Sequence, residues 1–452
     1  MTKAFEMILA VDIGTTSMKM GVFGVVDGAL ELVRQFSQEY KVNIYNKGLF
    51  GDIEQEKWDR AFIAGCKAMQ DIVGDVEVIS LSGTTPGFTA MDKNGNALYP
   101  AILMLDQRSM AQAKRIIDTI GAETLLKYTG NMPVAGGCSL SSLLWLKDNV
   151  PEVFRNTYMF GHSNTYFASR LTGNFAIDPS SASLSALYNT AANDHTWNEQ
   201  IAKTFGISMN QLPKIIHAYQ SVGTVLPKLA KELGLKKEPN VLIGGNDATI
   251  AAYSVGVQQP GDIINVNGTC EITLICLGKC LGSPNYNVRA HVIPDRWVTL
   301  HVLNAGGTAL DWFKNVFCSE MNADEFFNKF MSDSIEQWLE HESSVTYVPY
   351  LMGSRYSLEP LKAEFLGLTR QTTRQELMAA LIRGLCEYQK AHIKEISGHL
   401  PLKKEIHITG GSVNPAFIKA KQKWMWNAEY IEQEQSSMKG AAMLAQKFLE
   451  ER

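Results

Sequence analysis

One local pattern occurs twice in the chain, and it limits the folds available more than any other feature. Ala10-Val-Asp-Ile-Gly-Thr-Thr16 runs into Ser17–Phe23, and Asn265-Val-Asn-Gly-Thr-Cys270 runs into Glu271–Leu277. Each copy reads as a strand, a tight Gly-Thr turn and a second strand, the signature of a hairpin. The later pattern of the first half also returns. A long helix is expected over Thr373–Ile396, then a strand over Glu405–Thr409, the glycines Gly410-Gly411 and a helix from Pro415. A repeated α/β unit predicts two similar halves with a cleft between them, a favoured place for a ligand.

The chain has 452 residues, enough for two domains with separate cores. No linker rich in Pro, Gly or Ser marks their boundary. The polar turn Lys236-Lys-Glu-Pro-Asn240, just before the apolar Val241-Leu-Ile243, is the best place for it, giving domains 1–240 and 241–452. Within the first, Glu54–Met69 places Trp58, Phe62, Cys66 and Met69 on one helical face. Strands are expected at Val76–Ser80, Phe88–Met91 and Leu98–Leu103, and a helix around Ser141–Leu146.

Several function classes fall away. Lys plus Arg number 42 and Asp plus Glu 46, so the net charge is 42 − 46 = −4, without the basic excess that nucleic-acid binding needs. The apolar run Met7–Val11 is cut at Asp12, and no run is long enough to span a bilayer. The opening Met1-Thr2-Lys3-Ala4-Phe5-Glu6 lacks the apolar core of a secretory leader. Seven cysteines spread along the chain suit reduced thiols, so a cytoplasmic protein is expected. The nine histidines are scattered, with neither H-E-x-x-H nor paired C-x-x-C. No G-x-G-x-x-G opens the first helix, which argues against a dinucleotide-linked dehydrogenase.

The segment Asp12-Ile-Gly-Thr-Thr-Ser-Met-Lys19 carries the strongest chemical signal. Gly14 permits a tight turn, and successive N–H groups with the hydroxyls of Thr15, Thr16 and Ser17 can cradle phosphate oxygens. Asp12, at a strand end, is placed to hold Mg²⁺, and Lys19 adds a positive charge unless strand alternation turns it to solvent. Gly268 and Thr269 offer a second phosphate turn. Gly244-Gly-Asn-Asp247 joins a strand to a helix, so Asp247 either caps the helix electrostatically or accepts a proton from a substrate hydroxyl. Gly410-Gly-Ser412 and Asn414 leave room for a flat ring such as adenine, or form a plain strand-to-helix connection before Pro415. Asp106 and Arg108 could bind a polyhydroxylated sugar, with the turn Thr84-Thr-Pro-Gly87 lining the same pocket.

Taken in order, these motifs resemble the FGGY family of carbohydrate kinases, within the actin, hexokinase and Hsp70-like ATPase superfamily. The resemblance runs through Glu54-Gln55 with Trp58, Leu105-Asp-Gln-Arg108, Leu171-Thr-Gly173, Asp178-Pro-Ser-Ser-Ala-Ser183, Pro349-Tyr-Leu-Met-Gly353 and Lys439-Gly-Ala-Ala442. It implies an α/β chain of two ribonuclease-H-like domains that close over ATP and a sugar. It further implies Asp247 as catalytic base, in contact with both sugar and metal, and Asp12 as the Mg²⁺ acid. Gly14, Thr15, Thr16, Lys19, Gly268 and Thr269 would meet the phosphates, and Gly410, Gly411, Ser412 and Asn414 the adenosine. Thr84, Thr85, Pro86, Asp106 and Arg108 would line the sugar site.

The departures bear on substrate. Xylulose kinases usually carry Gln-Met-His-Gly where this chain has Thr84-Thr-Pro-Gly87, so Pro86 replaces a sugar-contacting His. The Arg-Glu of glycerol kinases is absent there, and no Trp precedes Asp106. Gln422 and Lys423 stand where an Ala-Asp pair is common. The expected activity is phosphorylation of a hydroxyl on a ketopentose, polyol or sugar acid. The alternative is a nucleotide- and sugar-binding sensor without turnover. The partner is a small-molecule sugar or polyol, with no nucleic acid or membrane. The family often forms dimers, so a homodimer is an allowed partner that no residue here specifies.

Overall fold

The structure is a computed structural model that describes residues 6–357 and 361–452. The opening segment read for a secretory leader lies outside the described residues except for Glu6. The first sheet starts with three antiparallel strands, β1 (Glu6–Ile13), β2 (Ser17–Val26) and β3 (Ala29–Glu39). After α1 (Gln55–Ala68), β4 (Val76–Gly83) pairs parallel with β1. The short helix α2 (Pro179–Ala182) precedes β5 (Ser221–Thr224) and β6 (Asn240–Asn246), which completes the order β5-β6-β4-β1-β2-β3, and α3 (Asp247–Ser254) follows.

The second sheet repeats this plan. It comprises β7 (Ile263–Asn267), β8 (Glu271–Leu277), β9 (Asn287–Ala290) and β10 (Trp297–Leu303). The long helix α4 (Arg374–Ser397) leads to β11 (Glu405–Thr409), α5 (Pro415–Ala420), β12 (Glu429–Glu432) and α6 (Ser437–Glu450). The strand order is β9-β10-β8-β7-β11-β12. In both sheets the first three of the shared strands run antiparallel, and the first strand pairs parallel with a fourth and the fourth with a fifth. The expected duplication of a ribonuclease-H-like unit is therefore present in the backbone pairing.

Local physics explains the elements. β1 is central, and Ile8-Leu-Ala-Val11 is wholly buried, as a strand covered on both faces requires. On α1, Trp58, Phe62 and Cys66 recur every fourth residue and are buried against the first sheet. Helix α4 begins where Thr373 Oγ1 accepts the Glu376 N–H at 3.1 Å, an N-cap worth about 1 kcal/mol. The strand expected at Leu98–Leu103 is confined to Ala101–Ile102, which pairs with Ile53 and Asp52, and Ile102 also bridges to Phe88.

The boundary expected at 240/241 does not separate the sheets. β6 lies within the first sheet, with Val241 opposite Ile79 and Asn246 opposite Gly83, because its apolar face is buried beside β4. The polar turn at Lys236–Asn240 is an internal connection, and the chain passes to the second sheet between Ser254 and Ile263. Helix α6 then returns. Its Ala441, Ala442, Leu444, Ala445 and Leu449 pack on Ile8, Ala10, Val78, Leu242 and Ile250 of the first half. No helix among the described residues is long and apolar enough to cross a membrane.

Candidate active site

The β-ladders align three positions across adjacent strands. Asp12 of β1 lies opposite Ser82 of β4, and Ser82 lies opposite Gly245 of β6. Asp247 begins α3 two residues later. The two acids therefore sit at the same end of three parallel strands, with their backbones roughly 10 Å apart on ordinary strand spacing. Ser82 Oγ donates to Asp12 Oδ1 at 3.0 Å. Asp247 Oδ1 accepts the Ala248 N–H at 2.7 Å and the Asn246 Nδ2–H at 2.9 Å.

Asp247 also feels Asp12 electrostatically. Burial, and then the negative charge of Asp12, push the Asp247 carboxyl up to about 6, while Arg289 and the two hydrogen bonds pull it back. Burial likewise raises Asp12, opposed by Ser437, Ser82 and Lys19. Lys19 stands opposite Asp12 in the β1–β2 register, but its side chain is exposed.

Each Gly-Thr turn is bonded into its surroundings. In the first, Gly14 N–H donates to Ser17 O at 2.9 Å, and Tyr40 OH donates to Gly14 O at 2.6 Å. The hydroxyls of Thr15 and Thr84 are 3.0 Å apart, which joins this turn to the Thr84–Pro86 segment. Thr84, Thr85 and Pro86 are all buried, and Thr16 is exposed. In the second turn Gly268 and Thr269 are exposed, and their carbonyls accept the N–H groups of Gly307 at 2.8 Å and Thr308 at 3.2 Å. Ala248, the residue after Asp247, packs in one cluster with Val266, Cys270 and Ile272 on either side of this turn. The second turn therefore lies beside the helix that carries Asp247.

Beneath the second turn is a buried polar chain. Asn267 Nδ2 donates to Asn265 Oδ1 at 2.9 Å, and Asn265 Nδ2 donates to Glu271 Oε1 at 3.1 Å. Lys421 is ion-paired with Glu271, and both side chains are out of water. Val266, one rung from the end of its hairpin ladder opposite Ile272, holds the place that Asp12 holds opposite Lys19 in the first, so only the first hairpin contributes an acid there. The Gly410–Asn414 loop follows β11. Gly410 has φ of 128°, and a Cβ there would come within 2.0 Å of Asn267 O, so the loop presses on the second hairpin. A Cβ on Gly411 would meet nothing within 4 Å. Ser412 is half-buried. Asn414 is used as a helix cap, accepting Phe417 N–H at 2.9 Å and donating to Phe327 O at 3.2 Å.

Asp106 and Arg108 form a closed group. Arg108 Nε donates to Asp106 and Nη2 to Asp52, each at 2.7 Å, and Nη1 reaches Tyr99 OH at 3.1 Å. Asp106 also accepts the N–H groups of Gly51 and Arg108. The guanidinium lies 4.3 Å from the Phe50 ring centre and 5.1 Å from that of Trp145. Among the described residues no hydrogen bond links this group to Asp12 or Asp247.

Residues with no motif of their own complete the site. Asp178 caps α2, and Ser180 Oγ accepts the Asn246 N–H at 2.9 Å, which fixes the strand end before Asp247. His162 Nε2 is 2.6 Å from Ser139 Oγ, and burial pulls its imidazole down to about 3, so it is neutral. Arg289 of β9 is buried with Nε and Nη1 unpartnered among the described residues. Its one sequence signal is an arginine standing alone in the apolar run Val288–Ile293. A small apolar void lined by Phe88, Leu143, Phe160 and Trp197 lies behind His162, within the core, and not at the acids.

The profile of the FGGY family of carbohydrate kinases matches in two parts, its N-terminal domain over residues 7–254 and its C-terminal domain over 265–445. A xylulose kinase of Staphylococcus xylosus is 27% identical over 448 residues, covering 97% of this chain and 90% of the relative. A gluconokinase of Bacillus subtilis is 23% identical over 389 residues, covering 84% and 74%. In fold, the gluconate kinase structure from Lactobacillus acidophilus superposes with a TM-score of 0.89 at 22% identity, over 99% of this chain and 90% of that one. Two sheets of one topology, two Gly-Thr turns beside a pair of acids, and a family profile that spans both halves lead to one conclusion: the chain belongs to the FGGY family of carbohydrate kinases, phosphotransferases that use an alcohol group as acceptor.

Proposed function

We propose that this protein transfers the γ-phosphate of ATP to a hydroxyl of a sugar or sugar derivative, with Asp247 as the general base. The observation that carries the reading is the placement of Asp12 and Asp247 at one sheet end beside both Gly-Thr turns, where the charge of Asp12 raises the proton affinity of Asp247. Asp247 takes the proton of the substrate hydroxyl, whose oxygen bonds to the γ-phosphorus as the bond from that phosphorus to the β,γ-bridging oxygen breaks. ADP leaves with that electron pair. A carboxyl held at about 6 is deprotonated at neutral pH yet basic enough to accept the proton.

Thr15, Thr16 and Thr269 contribute N–H and hydroxyl donors to the phosphates, Gly14 and Gly268 shape the two turns through N–H bonds to Ser17 O and Cys270 O, and Lys19 adds positive potential from the rim. Gly410, Gly411 and Ser412 form the adenosine wall, with Asn414 holding the loop through its cap. Thr84, Thr85 and Pro86 line the sugar side. Asp106 and Arg108 act by shaping that wall, since their own hydrogen-bonding groups are engaged.

The residues fit Mg²⁺. Asp12 and Asp247 are oxygen donors whose like charges a cation relieves. Among the described residues no cluster of three or more His, Cys, Asp or Glu is arranged to hold a metal. Bound there, Mg²⁺ would neutralise charge on the β- and γ-phosphate oxygens. A coupled ADP-release assay of the purified protein over a panel of ketoses, polyols and sugar acids tests the reading. ADP release dependent on one sugar and lost in Asp247→Asn is expected; turnover retained in that variant would remove the base assignment.

A further inference from the structure

Arg289 is a buried cation without a hydrogen-bond or ion-pair partner among the described residues. It lies on β9 between Val288 and Ala290, which point into apolar cores, so strand alternation sends its side chain the other way. The residue is 3% exposed, and neither Nε nor Nη1 has a hydrogen-bond partner among the described residues. No ion pair to it occurs among them either. Burial pulls its guanidinium down to about 10, and the nearby Arg355 adds repulsion, while Asp247, Tyr356 and Asp178 favour the charge. A buried arginine with open donors is costly to keep unless a ligand completes it.

Its position is fixed by hydrogen bonds to the first half. Asn131 holds Val288 from both sides, through its N–H and its carbonyl, each at 2.8 Å. Ser183 Oγ accepts the Ala290 N–H at 2.9 Å, and one helical turn away Ser180 Oγ accepts the Asn246 N–H at 2.9 Å. Helix α2 thus ties the Arg289 strand to the strand end that carries Asp247.

The same registers set Arg289 apart from the phosphate turns. It pairs with Val298, whereas the turn-flanking Glu271 pairs with Leu303, five residues further along β10. At about 3.4 Å per residue, the backbone of Arg289 lies roughly 17 Å along the sheet from the second turn. Arg289 is therefore set away from the second phosphate turn, while its strand and the strand end that carries Asp247 are tied to the same Ser180–Ser183 segment.

From this juxtaposition we infer that Arg289 is a specificity-determining residue that binds a carboxylate of the acceptor, and that the substrate class is sugar acids. This presupposes phosphotransfer to a hydroxyl beside Asp247. A planar guanidinium with unpartnered N–H groups matches a carboxylate in a two-point contact, which a neutral hydroxymethyl end cannot return. A site built for such a group discriminates strongly against analogues that lack it, because its polar groups are then left unpaired.

The test compares matched acceptors, D-gluconate with D-glucitol and D-xylonate with D-xylulose, at pH 8 so that Asp247 stays deprotonated. In the unmodified protein kcat/KM for each acid is expected to exceed that of its neutral partner by at least about 100-fold. Arg289→Gln should collapse this ratio to below about 5, mainly through KM for the acid, and Arg289→Lys should recover part of it. Circular dichroism and thermal melting check that the variants fold. A wild-type preference for the neutral partner, a ratio unchanged in Arg289→Gln, or a tenfold rise in KM for ATP with that for the acid unchanged would each overturn the inference. Calorimetric titration with D-gluconate, without nucleotide, separates this from the phosphotransfer reading. Binding by wild type and by Asp247→Asn, weakened at least tenfold in Arg289→Gln, supports the arginine whichever residue is the base. Equal binding in all three removes it.

Discussion

Asp12 and Asp247 are two strands apart at one end of the first sheet, and the charge on Asp12 raises the proton affinity of Asp247. An acid held above its ordinary value binds its proton more tightly in the folded chain than in the unfolded one. Its ionisation therefore opposes folding, and the penalty grows as pH rises from 3.8 to about 6 and is complete above that. Asp247→Asn removes the penalty and keeps an oxygen to accept from Ala248. The variant should melt at a higher temperature than wild type at pH 8, with the difference vanishing below about pH 4, while kcat falls about 10²- to 10⁴-fold. Equal melting temperatures at pH 8 would show that the carboxyl is not destabilised.

The Asp12 contribution can be read directly. In ligand-free protein, carbon NMR of the Asp247 carboxyl should titrate near pH 6, and Asp12→Asn should move the midpoint down, since one of the two raising causes is gone. Burial is the larger cause, so the midpoint should stay above 3.8. A midpoint that ignores Asp12 would separate the two acids.

Lys421 tests the support of the second turn. Lys421→Met leaves Glu271 buried and charged with, among the described residues, only Asn265 to bond its carboxylate, which should cost about 3–5 kcal/mol in denaturant unfolding. The double variant Lys421→Met with Glu271→Leu should recover most of that loss. If the single variant unfolds like wild type, the pair does not hold the turn.

Gly244 is a backbone requirement just before the Asp247 helix. Its φ is +62°, and a Cβ would fall 1.4 Å from Leu81 O in the neighbouring strand. Gly244→Ala should destabilise by about 3 kcal/mol or more, through strain in the left-handed region together with the clash. Gly256, also at positive φ but with nothing within 4 Å of its would-be Cβ, should lose only about 1 kcal/mol on the same change. Equivalent melting curves for the two would refute the contact.

Much of this arrangement was legible because it is local. The β1–β2 hairpin, the helix expected over Thr373–Ile396 and found at Arg374–Ser397, and the strand Glu405–Thr409 all follow from periodicity and turn chemistry. The sheet to which Val241–Ile243 belongs could not be read, because parallel pairing joins residues far apart and leaves no local mark. Asp106 and Arg108 looked free to bond a sugar, since Asp52, which closes their network, lies on a distant segment. Arg289 escaped notice because a single arginine in an apolar strand belongs to no motif. Its meaning depends on what fails to surround it.

The return of α6 onto the first sheet ties the order of synthesis to the order of folding. When β1, β4 and β6 have left the ribosome, the face formed by Ile8, Ala10, Val78 and Leu242 still lacks its cover, which arrives only with Ala441–Leu449. The amino-terminal half must wait, with a greasy flank bare, for most of translation to finish. Chaperone capture of nascent chains released before Ala441, and its loss once Leu449 has emerged, would be the cellular trace of that delay.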